Sequence, residues 1–381
     1  MERWKRLENM KIGIITWFTG PNYGTNLQAI ALQYYLRKAG HKVEIINYEV
    51  TSSKSKKEKK SIFKKIAYQP QKYVIKYALN KYSKDIVSRN EKLANAIQNY
   101  CSLTSKISNV NQLIDTCNTF DLLVCGSDQI WNPNWYDRFY YADYDDIKTR
   151  RISYAPSMGV NAISNEVIPE IKRSISKFDM ISVREEKAAE LLEPFMKSKP
   201  SVVVDPTLLL SEEEWNNLFK KRETDLDKYV LAFFLNDEMT HLKATRNFAK
   251  KHSYRLIVIP YKGMTYLQKA DIRADTGLED LLNLIKDAEY VITDSFHITV
   301  FSIIYKKQFF TFQRFKEDAF TSQNVRVTNL LKIANLISRL LPYKSTTIEE
   351  MDEINYDNHE TELKNEIKKS KDFLKKAVEK S

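Results

Sequence analysis

Cysteine, glycine and proline are scarce in this sequence, and each shortage excludes a class of protein. The three cysteines are odd in number and show no CxxC spacing, so neither a disulfide framework nor a structural zinc site is expected. Eight glycines and ten prolines in 381 residues are too few for a collagenous or broadly disordered chain. With 43% hydrophobic residues the chain can bury a sizeable core, and its length suggests two domains.

Long apolar runs and several widespread catalytic motifs are also missing. No stretch approaches the roughly 18 consecutive apolar residues of a membrane-spanning helix. The first apolar run, Lys11–Thr16, is too short for a signal peptide and is typical of a first strand, so we expect a cytoplasmic protein. The absence of Walker A, GxGxxG, HExxH and GxSxG motifs disfavours P-loop kinases, standard NAD enzymes, zinc metalloproteases and common serine hydrolases.

The net charge of +11 is concentrated in one segment. Residues 51–106 contain 14 Lys and Arg against 3 Asp and Glu, so the remainder is close to neutral. A nucleic-acid-binding arm, contact with an anionic membrane surface and a solvated helix surface all fit such a segment. The helical stretch Ser61–Tyr100 has a partly apolar face, for which core packing is the commoner explanation. We expect no nucleic-acid partner and retain peripheral contact with the inner face of the cell membrane as one interpretation.

Strands and helices alternate along the chain. A strand at Lys11–Thr16, a helix at Thr25–Ala39 and a strand at Val43–Tyr48 make a βαβ unit, whose crossover indicates a parallel sheet. The alternation resumes at Tyr229, so the sequence predicts an α/β protein with two Rossmann-like domains facing a cleft. The predicted parts are an N-terminal domain (residues 1–210) that contains a helical basic insertion (about 51–106), a C-terminal domain (211–345) and a helical tail (346–381).

Polar clusters follow several of the predicted strands, where parallel sheets bind ligands. In Thr293–His297, His297 could donate to a phosphate or carboxylate or move a proton, or it could be a packing residue beside a helix cap. Arg184 offers a rigid fork for an anion, unless it pairs with the glutamates that follow it. Arg326 is a weaker candidate of the same kind, since a lone arginine is most often a surface residue.

Two further loops could handle a sugar. After the strand at residues 121–125, Asp128 could orient or deprotonate a sugar hydroxyl, or it could bond its own backbone in a turn. The loop after the first strand could bind a substrate or cap the following helix. The remaining candidates in these two loops, with an aromatic stacking face among them, are Asn22, Tyr23, Asn26, Ser127, Gln129 and Trp131.

Taken together these clusters resemble the polysaccharide pyruvyl transferase family. Six stretches match the family in its order and spread from near residue 12 to near residue 330. Each is modest alone, but six in sequence are specific for the family. They are Asn22–Ala29, Gly126–Pro133, Ser153–Gly159, Ser182–Glu186, Val204–Leu209 and Thr293–His297.

The resemblance implies a fold like the two-domain GT-B glycosyltransferases, with phosphoenolpyruvate as donor and a sugar bearing two hydroxyls as acceptor, joined as a pyruvate ketal. It also implies that Arg184 and His297 line the donor site together with Ser295 and Phe296. The C-terminal domain would then be the donor side and the N-terminal domain the acceptor side. The chain departs from the family pattern at Ile298, where a small residue is usual, and at Thr25, where alanine is usual.

The chemistry of such a transfer fits the candidate residues. Phosphoenolpyruvate needs fixed cations, which Arg184 and Arg326 could supply, and proton transfers, for which His297 is the candidate acid and Asp128 the candidate base. No step needs a redox cofactor, and the sequence shows no metal cluster, so the expected partners are phosphoenolpyruvate and a glycan or lipid-linked sugar. Two alternatives stay open: a GT-B glycosyltransferase using a nucleotide-sugar, and a non-catalytic glycan-binding member.

Overall fold

The computed structural model of the protein describes residues 9–48, 70–219, 226–316 and 323–379. The first part of the predicted basic insertion, residues 51–69, lies outside these residues, and with it the start of the helix predicted from Ser61. The described residues form a four-stranded and a six-stranded parallel sheet, which come before and after residue 210 in the chain, and a two-stranded parallel pair. The predicted α/β class is therefore confirmed.

The first half is built on a four-stranded parallel sheet in the order β2-β1-β3-β4. The predicted βαβ unit is present, because a buried strand, an amphipathic crossover helix and a second strand follow one another. A two-stranded parallel pair, β5 and β6, continues from the β4 side through a bridge between Ile152 and Met180. The strands are β1 (Lys11–Ile15), β2 (Lys42–Ile45), β3 (Leu122–Cys125), β4 (Arg150–Ser153), β5 (Ser182–Val183) and β6 (Ser201–Val202).

Four helices of the first half cover these strands and carry their own start signals. Asn22 and Asn109 accept backbone hydrogen bonds as N-caps, which satisfies donors that a helix start leaves unpaired. The helices are α1 (Tyr23–Lys38), α4 (Val110–Cys117), α5 (Ile168–Ile175) and α6 (Glu186–Leu192).

The second half is a six-stranded parallel sheet in the order β12-β11-β10-β7-β8-β9. Its central strands are mostly apolar and almost continuously buried, as expected for a sheet covered on both faces. Its strands are β7 (Tyr229–Phe233), β8 (Arg255–Ile259), β9 (Asp271–Ile272), β10 (Tyr290–Thr293), β11 (Gln308–Phe312) and β12 (Leu340–Leu341). Its helices are α7 (Glu212–Leu218), α8 (Met239–Lys251), α9 (Leu278–Asp287), α10 (Phe296–Ile304) and α11 (Asn324–Ile333). Ser211 caps α7 in a capping box.

The basic insertion and the tail connect the two halves. The predicted long helix is two helices, α2 (Pro70–Lys81) and α3 (Ser83–Tyr100), which meet at Tyr82. The tail helix, α12 (Glu360–Glu379), returns to the first half, where the Ser370 hydroxyl accepts a hydrogen bond from the Val204 N–H at 2.9 Å. One continuous apolar cluster extends through both sheets, so the halves are docked closely. None of the helices in the described residues combines the length and apolar character needed to cross a membrane.

Candidate active site between the two sheets

Loops after parallel strands of both sheets converge between the halves. Because carboxyl ends of parallel strands lie at one edge of a sheet, residues distant in sequence meet there. From the first half come the start of α1, the loop after β3 and the residues after β5 and β6; from the second come the start of α10, the residues after β11 and the start of α11. The buried polar side chains in these positions are Thr25, Asp128, Arg184, Asp205, His297 and Arg326.

Asp205 links the predicted arginine to the predicted histidine across the two halves. The Arg184 guanidinium donates to its Oδ2 at 2.6 Å, and His297 Nε2 lies 3.5 Å from the same oxygen. Its Oδ1 accepts from the Thr207 N–H at 3.0 Å and from the Thr207 hydroxyl at 2.7 Å. Burial alone would raise the pKa of Asp205, but His297 and Arg184 outweigh it and hold the pKa well below the usual carboxyl range. Asp205 is therefore ionised at neutral pH.

The alternative interpretation of Arg184 is not observed. Arg184 does not pair with the glutamates that follow it: Glu185 accepts hydrogen bonds from the loop at residues 157–159, and Glu186 pairs with Lys199. Two nitrogens of Arg184, Nε and Nη2, are buried without a hydrogen-bond partner. Buried donors are seldom left unpaired, so these two nitrogens indicate a place for a ligand.

Arginine side chains surround the ring of Phe296. The guanidinium carbon of Arg184 lies 4.6 Å from the ring centroid and that of Arg326 lies 5.9 Å from it. Burial lowers the pKa of Arg326 to about 9, and the positive charges of Arg184 and Arg314 contribute. The Nε of Arg326 is also buried without a partner. Uncompensated buried positive charge of this kind favours binding of an anion with more than one negative group.

Arg314 belongs to this cluster and was not anticipated from the sequence. It lies two residues beyond β11, its guanidinium donates to Gln323 Oε1 at 2.5 Å, and burial lowers its pKa. Arg326 donates to the same oxygen at 2.8 Å, so Gln323 holds the two arginines side by side. The sequence did contain a signal for Arg314, because it is an arginine at the carboxyl end of a predicted strand.

Replacing Arg326 with methionine should stabilise the ligand-free protein and weaken its response to anions. Removal of a buried charge that lies among other cations should raise the free energy of unfolding by about 1 kcal/mol or more. The same change should reduce the rise in Tm that phosphate or phosphoenolpyruvate produces. Thermal melts with and without these anions test both effects, and a destabilised Arg326→Met protein with an undiminished anion response would contradict this assignment.

Gly24 and His297 form a second contact between the two halves, and this contact also shapes the site. A Cβ atom built on Gly24 would lie 2.0 Å from His297 Nδ1 and 2.4 Å from Cγ, so only a glycine permits this approach. Beside it, the Tyr23 hydroxyl donates to the Thr276 carbonyl at 2.8 Å and fixes the start of α1 on the second half. The position of the imidazole therefore depends on the first turn of α1.

Gly24→Ala should lower catalytic turnover about a hundredfold without unfolding the protein. The added methyl must displace the His297 ring or separate α1 from α10, and misplacement of a catalytic group by about 1 Å has effects of this size. Gly277→Ala is the matched control, because the added methyl there comes closest to Cβ of Lys92 at 3.1 Å, a contact that needs a shift of only a few tenths of an ångström and involves no residue of the site. Equal turnover in the two variants would show that this contact does not position His297.

Asp128 follows β3 and is connected to the start of α1. The Thr25 hydroxyl donates to its Oδ2 at 2.7 Å, and its Oδ1 accepts from the Gln129 N–H at 2.8 Å. The second bond is the local turn bond that the sequence allowed. Its backbone is left-handed, with φ of 65°, a conformation that aspartate tolerates. Each carboxylate oxygen can accept a further bond, so Asp128 keeps the capacity to receive a proton.

The remaining predicted acceptor residues differ in what they can offer. Gln129 Nε2 and Asn26 Oδ1 are buried without partners, so both keep hydrogen-bonding capacity. The Ser127 hydroxyl donates to the Ala155 carbonyl at 2.7 Å, and Asn22 caps α1. Trp131 is fully buried, stacks on Tyr141 at 4.8 Å and donates to the Tyr140 carbonyl. This burial argues against the predicted role of Trp131 as a stacking face.

A different tryptophan pair lies beside the same loop. Trp135 is 45% exposed, its ring centroid is 6.4 Å from that of Trp17, and its indole N–H contacts the Gln129 carbonyl at 3.4 Å. Trp17 comes directly after the predicted first strand, so its position was available in the sequence. The pair offers the exposed aromatic surface for which Trp131 is too deeply buried.

Two further positions at the start of α10 are also defined. Ser295 is the N-cap residue of α10, but its hydroxyl makes no capping hydrogen bond. Asp294 accepts hydrogen bonds from the N–H groups of Leu235 and Asn236 at 2.6 and 3.3 Å. Burial raises the pKa of Asp294 to about 6. Asp294 therefore joins the end of β7 to β10.

A cleft of about 430 Å³ opens between the halves next to the buried arginines. Glu185 and Glu190 line it from the first half, and Gln313, Asn324 and the outer side of α11 line it from the second. Glu185, Gln313 and Val325 are chain neighbours of Arg184, Arg314 and Arg326, so this cleft lies beside the arginine cluster.

The fold is that of the GT-B proteins. The chain is similar to UDP-GlcNAc 2-epimerase from Methanocaldococcus jannaschii, with a TM-score of 0.53 and 12% identity over 95% of this chain and 92% of that one. UDP-GlcNAc 2-epimerase from Neisseria meningitidis has a TM-score of 0.48 and 10% identity, over 96% and 99%. The glycosyltransferase SnogD from Streptomyces nogalater has a TM-score of 0.44 and 11% identity, over 96% and 95%.

The site lies between the two Rossmann-like halves, beyond the carboxyl ends of their strands. No curated protein matches the chain significantly in sequence. Residues 22–314 match the family described as polysaccharide pyruvyl transferase, and the chain belongs to that family.

Proposed function

We propose that this protein transfers the pyruvyl group of phosphoenolpyruvate to a sugar of a cell-surface polysaccharide or its precursor, forming a pyruvate ketal and releasing phosphate. Family membership supports the general activity, a pyruvyl transferase acting on polysaccharide. The observation that carries the choice of donor is the buried arginine cluster around Phe296, with its unpaired nitrogens beside His297. A small molecule that bears both a phosphate and a carboxylate matches this charge.

The proposed reaction needs one proton donor and a proton acceptor at defined places. Protonation of the methylene carbon of phosphoenolpyruvate creates a cationic centre at C2, and a sugar hydroxyl adds there as it loses its proton. A second hydroxyl of the same sugar then adds at C2 and its proton passes to the departing phosphate, while the bond between C2 and the phosphate oxygen breaks and the ketal ring closes. Phosphate leaves with the electron pair of that bond.

We assign the donor to the second half and the acceptor to the first. His297 and Arg184 would hold the phosphate side, with His297 as the candidate acid, and Arg326 and Arg314 would balance the remaining charge. Asp128 is the candidate base, because Thr25 connects it to the α1 start that contacts His297. Gln129 and Asn26 are the candidate hydrogen-bonding groups for the sugar.

The test is phosphate release from phosphoenolpyruvate by the purified protein with a panel of glycans and lipid-linked sugars. Release that requires one acceptor, together with a ketal on that acceptor, supports the proposal. If phosphoenolpyruvate neither raises Tm nor releases phosphate while a UDP-sugar raises Tm, the donor is a nucleotide-sugar and the proposal fails. Binding of a glycan without turnover of either donor would indicate a non-catalytic member.

Trp135→Ala should raise KM for the acceptor about tenfold and leave the phosphoenolpyruvate-induced rise in Tm unchanged. Stacking of a sugar on an exposed indole is worth roughly 1–2 kcal/mol, which corresponds to this factor. Ile337→Ala, which removes an exposed apolar side chain elsewhere, is the control. An unchanged acceptor KM would exclude the Trp17–Trp135 pair from the acceptor site.

A further inference from the structure

Exposed apolar side chains are concentrated on the helical insertion. Of the ten large hydrophobic side chains exposed in the described ranges, five lie between Tyr73 and Val87. Tyr77 is 70% exposed and Val74 is 49% exposed. Tyr73 and Tyr77 are four residues apart on α2, so they lie on the same side of the helix. Most exposed hydrophobic residues occur singly, so a strip of this kind indicates a binding surface.

The opposite side of α2 is already used to hold the insertion in place. Ala78 is buried in a small cluster with Tyr266 and Ala274, and Ile75 packs against Gly263. On α3, the Arg89 guanidinium donates to the Pro260 carbonyl at 2.8 Å. The exposed strip is therefore not an undocked core face, because the inner face of the same helix is the one that packs.

The segment that carries the apolar strip is rich in positive charge. In sequence, helix α2 contains three lysines and no acidic residue, and the preceding residues 51–69 contain seven lysines and one glutamate. Lys76 and Lys81 on α2 and Lys84 at the start of α3 are exposed. Tyrosine rings and lysine stems suit the boundary between headgroups and acyl chains, where the ammonium groups reach anionic phosphates. A protein partner would need an acidic surface with an apolar strip at its centre, whereas an anionic bilayer has both properties everywhere.

We propose that the outer face of α2 and the start of α3, formed by Val74, Lys76, Tyr77, Lys81 and Lys84, binds the surface of a bilayer that contains anionic lipids. Helix α3 also lines a cavity of about 420 Å³ together with residues 18–21 and Asn26. Bound in this way, the protein would hold its α1 loop close to the membrane. The inference concerns binding alone and does not depend on the proposed reaction.

The first test is co-sedimentation of the full-length protein with vesicles. Binding is expected to vesicles of phosphatidylglycerol and phosphatidylcholine, to be absent with phosphatidylcholine alone, and to weaken in high salt. Lys76→Glu/Lys84→Glu should lower binding more than tenfold, since each lysine near an anionic surface contributes about fivefold. Lys42→Glu/Lys197→Glu makes the same change in net charge on other exposed surfaces and should alter binding about twofold or less. Equal losses in the two double variants would overturn the proposal.

The second test locates the contact. All three native cysteines are buried, so a cysteine introduced at Val74 can be labelled selectively with a solvent-sensitive fluorophore. Anionic vesicles should shift its emission to shorter wavelength, while the same label at Val110, an exposed apolar position on α4, should not respond. Binding without a shift at Val74→Cys would mean that another basic segment makes the contact, and the proposal for α2 would be wrong.

Discussion

Arg184→Lys should lower kcat/KM for phosphoenolpyruvate about a hundredfold and abolish the rise in Tm that this donor produces. Lysine keeps the positive charge, and so a partner for Asp205, but it loses the planar fork whose Nε and Nη2 are buried without partners. A charge-assisted hydrogen bond is worth about 1.5–3 kcal/mol, and the loss of one or two accounts for the factor. Steady-state phosphate release and thermal melts measure the two effects.

The matched control is another buried arginine. Arg151 donates to the carbonyls of Ala142 and Ile147 and lies on β4, outside the site. Arg151→Lys should cost stability and leave kcat/KM of the folded protein near wild type. If Arg184→Lys keeps its donor response, or if the two variants lose activity equally, Arg184 is structural and the donor site lies elsewhere.

Much of the fold could be predicted because its information is local. The apolar runs of β1 and β2 and the period of α1 lie within about 40 residues of each other, and the structure pairs the strands in parallel as expected. Long-range docking has no such signal. Nothing in the helical pattern of α12 indicates that Ser370 bonds to Val204, and nothing near Tyr82 indicates where the insertion divides.

The residues of the candidate site also differ in whether the sequence could predict them. Arg184 and His297 could be selected because each follows a strand, where ligand-binding residues collect. Asp205 stood in one of the matching stretches without a role, because its partners are 21 and 92 positions away and only folding brings them together. Trp131 shows the opposite failure, since an aromatic residue after a strand looks the same whether it faces a ligand or the core.

The structure also explains why the buried charges of the site lower the stability of the folded protein. Arg184 has one acidic partner at its guanidinium, whereas Arg326 has none among its hydrogen bonds and lies near two other cations. A site of this kind is stabilised by its ligand, because an anion supplies the missing negative charge. Asp205 offsets part of this positive charge, together with Asp128 and Glu185, so its removal should affect both stability and function.

Asp205→Asn should therefore lower turnover per folded molecule about a hundredfold and lower the free energy of unfolding by about 3 kcal/mol at pH 7. The substitution removes the negative charge that faces both Arg184 and His297. Arg184 is then buried without its ion-pair partner, and His297 loses the carboxylate that fixes its position. Because the pKa of Asp205 is lowered in the folded protein, its contribution is present above the unfolded value, about 4, and is lost as pH falls toward the folded value. The free energy of unfolding of Asp205→Asn should therefore fall less at acid pH than that of the unsubstituted protein.

Asp143→Asn separates positioning from stability. Asp143 is equally buried, pairs with Arg173 and Lys177, and has a pKa that these partners and Ser174 lower despite its burial. Urea unfolding measures the loss of stability in each variant. At pH 7, and again at pH 3, this loss should be similar in Asp143→Asn and Asp205→Asn, because both substitutions remove a carboxylate with a lowered pKa. Only Asp205→Asn should lose turnover per folded molecule and the phosphoenolpyruvate-induced rise in Tm. If both variants kept these two properties, Asp205 would support the fold without positioning His297 or Arg184.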